Sequence, residues 1–268
     1  PPSPSPWRRT WATAASGTKK PIQVACIGDS LTFGASSTTP STDNWPYQLA
    51  ALLREQFGDG VYNVRNYGVS GVCAAQYNAT IVGNNLQMEN ERMDAWFGSH
   101  VTQPDIVILM LGTNDANHVA KRGEEGKTIY KNAMKAIVAS YRALESSPTI
   151  IMATSPDRPE SKPTEKELKA GIYALQKELA AELNLPMIDI YALSAAWTAE
   201  EEAIYFAPDN LHFTTAGYKV FAEAFANYFA ENAEVKFQFP DGGLTYVAFT
   251  DEGTPEPDPD EDAEAAQT

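Results

Sequence analysis

A chain of 268 residues, 43% of them hydrophobic, is long and apolar enough for one large domain or two small ones with a substantial core. Its formal net charge of −15 argues against a nucleic-acid binder, which needs a basic face, and against electrostatic docking on anionic membranes. No apolar run approaches the roughly 18–20 residues that span a bilayer, and two cysteines, Cys26 and Cys73, are too few for a disulfide framework.

In chain order, residues 1–20 contain Pro-Pro-Ser-Pro-Ser-Pro and read as a linker or loosely packed segment. Trp7 and Trp11 are too large to leave in water casually, which argues that part of it packs back on the domain. The chain starts at Pro1 rather than Met, so the lack of a signal peptide carries no weight. Stretches at 22–27, 61–67, 105–111, 149–154 and 186–190 read as strands. Several are continuously apolar, as in a sheet covered on both faces. Helical periodicity lies between them at 45–57, 127–144, 164–184 and 215–231. The third helix opens with Thr164 and Glu167 at capping-box spacing. Residues 72–104 show no clear periodicity; Tyr77, Trp96 and Phe97 there are core side chains or sugar-stacking ones.

Residues 235–249 alternate apolar and polar around Pro-Asp-Gly-Gly, a hairpin signature. Residues 251–268 are acidic and proline-rich with almost nothing to bury, and are expected to be disordered. They are either a solvated terminus or a tether to neighbouring modules of an extracellular protein. The expected organisation is a segment over 1–20, a main domain over 21–232, an appended hairpin over 233–250 and a tail over 251–268. Alternating strands and helices imply a parallel, doubly wound sheet, which binds ligands beyond the carboxyl ends of its strands.

That edge is where chemistry collects. The first strand is followed by Ser30, the second by Gly68-Val69-Ser70-Gly71, and the third by Gly112-Thr113-Asn114-Asp115. Asp209-Asn210-Leu211-His212 stands just before the last helix. A serine hydroxyl is a poor nucleophile without a base. His212 is placed to take the proton of Ser30 and return it to a leaving alcohol, and Asp209 to orient the imidazole. The backbone N–H groups of Ser30 and Gly71 and the side-chain amide of Asn114 are candidate oxyanion donors. Because the imidazole must be neutral to act as base, activity is expected to fall on the acid side.

These four blocks, Gly-Asp-Ser-Leu-Thr-Phe-Gly at 28–34, Gly-Val-Ser-Gly at 68–71, Gly-Thr-Asn-Asp at 112–115 and Asp-Asn-Leu-His at 209–212, resemble in order and approximate spacing those of the GDSL/SGNH hydrolases. The resemblance covers roughly residues 21–230. It implies a flavodoxin-like three-layer α/β/α sandwich with about five parallel strands. It also implies Ser30 as nucleophile, Asp209 and His212 completing the triad, and Ser30, Gly71 and Asn114 in the oxyanion hole. No metal or organic cofactor is implied. The stretches "YNVRNYGVSG", "PDIVILMLGTND" and "LAAELNLPMIDIYAL" look most like bacterial esterases that remove acetyl groups from carbohydrates.

Other polar residues carry plainer readings. Cys26 and Cys73 read as small buried hydrophobes, Asp115 as a structural hydrogen-bond acceptor, His118 as a solvated loop histidine and His100 as structural. Asp157 and Arg158 follow the fourth strand and either line the pocket or form a surface ion pair. The expected function is a serine esterase acting on acetylated carbohydrate at or outside the bacterial cell surface, with no nucleic-acid partner and no membrane insertion. The alternatives are a thioesterase, arylesterase or lysophospholipase with a longer acyl groove, or an acyltransferase. A non-catalytic carbohydrate-binding module predicts loss of a triad member, and none is missing.

Overall fold

The computed structural model describes residues 21–77 and 103–236, with side chains as far as 232, apart from those of Gln76 and Tyr77. Five strands, β1 (Ile22–Gly28), β2 (Tyr62–Gly68), β3 (Ile106–Met110), β4 (Thr149–Ala153) and β5 (Met187–Ile188), form one sheet in the order β2-β1-β3-β4-β5. Every neighbouring pair is parallel. The described helices are α1 (Ser30–Phe33), α2 (Pro40–Asp43), α3 (Trp45–Phe57), α4 (Ala74–Tyr77) and α5 (Asp115–Arg122). They continue with α6 (Glu124–Arg142), α7 (Pro163–Glu182), α8 (Ile190–Ala195), α9 (Ala199–Tyr205) and α10 (Thr215–Lys236).

Side-chain alternation along the strands feeds two cores. Ile22, Val24 and Cys26 of β1, with Ile106, Ile108 and Met110 of β3, pack against Leu49 and Leu53 of α3 and Phe221, Phe225 and Phe229 of α10. Ala25, Ile27, Val107 and Leu109 pack on the other face against Met134 and Ile137 of α6 and Ile172 and Leu179 of α7. The result is the expected three-layer α/β/α sandwich with flavodoxin-like strand order. The chain leaves β1 towards β2 on one side and returns to β3 on the other, which opens a crevice beyond Gly28.

The strands stop where side chains take over the backbone's hydrogen bonds. The carbonyl of Leu111 accepts from Tyr130 Oη at 3.0 Å and Gln176 Nε2 at 2.9 Å, so β3 ends at Met110. The expected strand over 186–190 shortens to two residues because Asp189 caps α8, its Oδ1 accepting from Ala192 N at 2.9 Å. Thr164 is not a cap: α7 starts one residue earlier, with Pro163 in its first turn and no side-chain cap from Lys162. The capping box is instead Thr198 with Glu201, at the start of α9. Gly123, at φ +59°, separates α5 from α6. α10 runs on to Lys236, so residues 235 and 236 are helical rather than strand; the rest of the expected hairpin, the tail and the first twenty residues lie outside the described residues. Among the described residues no helix is long and apolar enough to cross a membrane.

Candidate active site

The turn after β1 is built around Ser30. Asp29 caps α1, its Oδ1 accepting from Leu31 N at 2.9 Å. Gly34 closes the turn in the left-handed region and donates its N–H to the Ser30 carbonyl. The turn folds back over the end of β2, where a Cβ on Gly68 would run into the backbone of Thr32 and Phe33. Only glycine permits that approach. Ser30 is 5% exposed, so the turn is packed almost to its outer surface.

The opposite wall is the loop before α10. His212 Nε2 lies 2.9 Å from Ser30 Oγ, and His212 Nδ1 lies 2.7 Å from Asp209 Oδ2. A carboxylate only accepts, so Nδ1 carries a proton and Nε2 of the neutral ring is left to accept from the serine. Asp209 Oδ1 accepts the backbone N–H groups of Leu211 and His212, each at 2.9 Å. Partial burial opposes its charge, but these bonds and the His212 side chain outweigh it and bring the Asp209 carboxyl down to about 2. Asp209 is therefore ionised at any pH where the imidazole is neutral. Thr214 starts the helix that follows, its Oγ1 accepting from Gly217 N at 3.2 Å.

Sheet register brings the other two blocks to the same rim. Gly28 sits beside Gly68 on one side and Met110 on the other, so the segments carrying Ser30, Gly71 and Asn114 leave neighbouring strand ends. Gly71 adopts φ +80°, a conformation that favours glycine, with nothing among the described residues near the place of a Cβ. Asn114 donates Nδ2 to the Val72 carbonyl at 2.9 Å, which leaves the second amide hydrogen available. Asp115 accepts from Ala74 N through both carboxylate oxygens, at 3.1 and 3.0 Å. It is the structural acceptor expected, tying the block after β3 to the block after β2. Burial pushes its carboxyl up to about 7 against the pull of that amide.

Elsewhere the sequence reading needs correction. His118 is exposed on α5 rather than in a loop. Asp157 and Arg158 do not pair with each other: Asp157 is buried and meets Lys166 Nζ at 2.8 Å, while Arg158 faces Glu165 at 3.2 Å. The Arg158 side chain, 12% exposed, also donates Nη1 to the Asn210 carbonyl at 2.7 Å. Asn210 stands at φ +54°, so Arg158 braces the turn between Asp209 and His212. Ser36, which no motif singled out, donates its hydroxyl to Asp209 Oδ2 at 3.2 Å. The only signal for Arg158 was its place after β4, and Ser36 had none. Cys26 and Cys73 are buried thiols, as expected. His100, Trp96 and Phe97 lie outside the described residues, and the side chain of Tyr77 is likewise not described.

Comparison with known proteins places these features in a family. The model of the GDSL-like lipase/acylhydrolase family matches residues 26–220. An acetylxylan esterase of Xylanibacter ruminicola is 28% identical over 223 residues, which are 76% of this chain and 42% of that protein. The chain thus spans about two fifths of that relative's length. Among solved structures, the acetylxylan esterase Axe2 from Geobacillus stearothermophilus superposes with a TM-score of 0.56 at 20% identity, over 79% of this chain and 95% of that one. The lipase/acylhydrolase from Enterococcus faecalis superposes with a TM-score of 0.55 at 18% identity, over 78% of this chain and 96% of that one. At such identities the structural likeness shows the fold.

Proposed function

The chain belongs to the GDSL-like lipase/acylhydrolase family, and from that premise we propose that it is a serine esterase that removes acetyl groups from carbohydrate through an acyl-enzyme on Ser30. The observation that carries this reading is the hydrogen-bonded chain from Ser30 Oγ through the His212 ring to Asp209, at 2.9 and 2.7 Å. Ser30 Oγ attacks the ester carbonyl as His212 Nε2 takes the hydroxyl proton. The negative charge of the tetrahedral intermediate falls to the N–H groups of Ser30 and Gly71 and the free amide hydrogen of Asn114. Asp209 holds the ring and stabilises its charged form. The intermediate expels the sugar alkoxide, which takes the proton from Nε2. Water then repeats the sequence on the acetyl-enzyme, and acetate leaves with Ser30 restored.

Carbohydrate as the substrate class draws on the named activity of the Xylanibacter ruminicola and Geobacillus stearothermophilus relatives. A polymeric substrate does not cross a membrane, so the reading carries with it action outside the cell. The test compares p-nitrophenyl acetate with the octanoate ester and measures acetate released from acetylated xylan, with Ser30→Ala beside the wild type. The expected result is preference for acetate, release from xylan and a loss of kcat of about ten-thousandfold or more in Ser30→Ala, with the fold unchanged. Preference for octanoate with xylan untouched would move the substrate to the lipase or thioesterase side. An active Ser30→Ala would overturn the site.

A further inference from the structure

We propose that Ser36 is a positioning residue for Asp209, which fixes the acid of the acid–base pair against the nucleophile turn. The inference rests on Ser30, His212 and Asp209 acting as described. Among the described residues, three of the four hydrogen bonds that Asp209 accepts come from its own loop: the amides of Leu211 and His212, and His212 Nδ1. They set the carboxylate relative to the imidazole and do not reach the turn of Ser30. The fourth, from Ser36 Oγ to Oδ2 at 3.2 Å, comes from 173 residues away, in the segment that leaves the Ser30 turn. Among the described residues it alone ties the carboxylate itself to the side of the site that carries Ser30.

Two further observations support this. Ser36 stands at φ +67°, in the left-handed region that a serine enters only with strain. Such strain persists where surrounding contacts hold it, and it gathers at functional sites. Around Ser36 those contacts are visible. The Ala35 carbonyl accepts from Tyr218 Oη at 2.8 Å. Thr38 N donates to Thr215 Oγ1 at 3.3 Å, Thr215 Oγ1 donates to Asp43 Oδ2 at 3.1 Å, and Gln48 Nε2 donates to the Thr215 carbonyl at 3.2 Å. Residues 35–48 are thus stitched to the start of α10 on the far side of Asp209. Ser36 and Asp209 cannot slide apart without breaking several of these bonds.

The chemistry assigns the hydroxyl a definite effect. Oδ2 is shared between the Ser36 hydroxyl and the ring N–H, so part of the carboxylate charge is spent on the serine. Removing the hydroxyl loosens Oδ2 and concentrates its charge on the imidazole, which favours the protonated ring. The other titratable groups that share the field of this loop are Arg158, Tyr218 and the buried Asp29, and among the described contacts none of them hydrogen-bonds the Ser36 side chain.

The experiment follows p-nitrophenyl acetate hydrolysis against pH for wild type, Ser36→Gly, Ser36→Ala, Ser36→Asn and Ser30→Ala, with the Tm of each. Ser36→Gly relieves the strained backbone and deletes the donor. It is expected to keep or raise Tm while kcat falls roughly three- to tenfold at unchanged KM, the loss of one hydrogen bond. The acid limb of the rate profile moves to higher pH. Ser36→Ala shows the same kinetic loss without the gain in Tm. Ser36→Asn, tolerant of the left-handed conformation and carrying an amide donor, recovers part of kcat. Wild-type kcat and pH profile in both Ser36→Gly and Ser36→Ala would overturn the proposal, as would a loss that simply follows a falling Tm. If Ser30→Ala keeps its activity, the catalytic reading itself falls, and that result is separate from any at Ser36.

Discussion

The two walls of the site are held by different forces. The nucleophile wall is a matter of packing: Ser30, Leu31 and Thr32 are buried, Asp29 is buried beneath them, and the turn lies against Gly68 with no room for a methyl group. The acid–base wall stands closer to water, with the Asp209 side chain 43% exposed, and directed hydrogen bonds hold it. Packing resists displacement steeply, because atoms in contact have no small adjustments to make. Hydrogen bonds at a surface give way one at a time. Damage to the first wall should therefore be close to all-or-none, and damage to the second graded.

The sharpest way to break that contrast is Gly68→Val. The new side chain meets backbone that cannot move without dragging Ser30, so a cost of about 3 kcal/mol and a Tm lower by roughly 6–12 °C are expected, with activity nearly abolished. Thermal unfolding beside an esterase assay checks this; a variant with normal Tm and normal rate would show that the wall is not packed as described. Next comes Arg158→Met. It leaves the Asn210 carbonyl and Glu165 without their donor, at about 1.5–3 kcal/mol in stability. A fall in kcat of about tenfold is expected, with the fold retained and the loss halved or better in Arg158→Lys. An inactive Arg158→Met would mean that the second wall is as brittle as the first.

The effects of pH carry opposite signs on the two sides. Asp209 titrates at about 2 in the folded protein against an ordinary 3.8, so the unfolded chain binds more protons between those values. Its contribution to stability is complete above pH 3.8 and is lost as pH falls towards 2. Asp115, tied beneath the block after β2, is displaced upward to about 7 by burial, so the folded chain binds the extra proton. Its contribution is complete below pH 3.8 and declines as pH rises through 7. Tm measured against pH should lose part of its acid slope in Asp209→Asn and part of its neutral decline in Asp115→Asn. An unchanged decline in Asp115→Asn would place its cause elsewhere.

What the sequence made legible follows the same divide. β1 and β3 were plain because strands buried on both faces are continuously apolar. β5 was overdrawn because an apolar run says nothing about a capping Asp189 that turns the chain into a helix. α5 was missed since only Ala116 and Val119 on it face the core among polar neighbours. The positions of Ser30, Gly71, Asn114, Asp209 and His212 could be picked out because each stands in a short local pattern just past an element. Ser36 could not, and Arg158 stood out only by its place after β4, because their meaning lies in partners 173 and 52 residues away.

The distance between Ser30 and His212, 182 residues along the chain, also has a consequence in time. During synthesis the serine leaves the ribosome long before its base exists. On the proposed reading it stays inert until α10, laid down last among the described elements, docks against α3 and β1 and carries the loop of Asp209 and His212 into place. On the proposed reading, esterase activity would report the docking of α10 in time. In a refolding experiment it should lag behind the recovery of helical signal, because the helices are local and the site is among the longest-range contacts in the molecule.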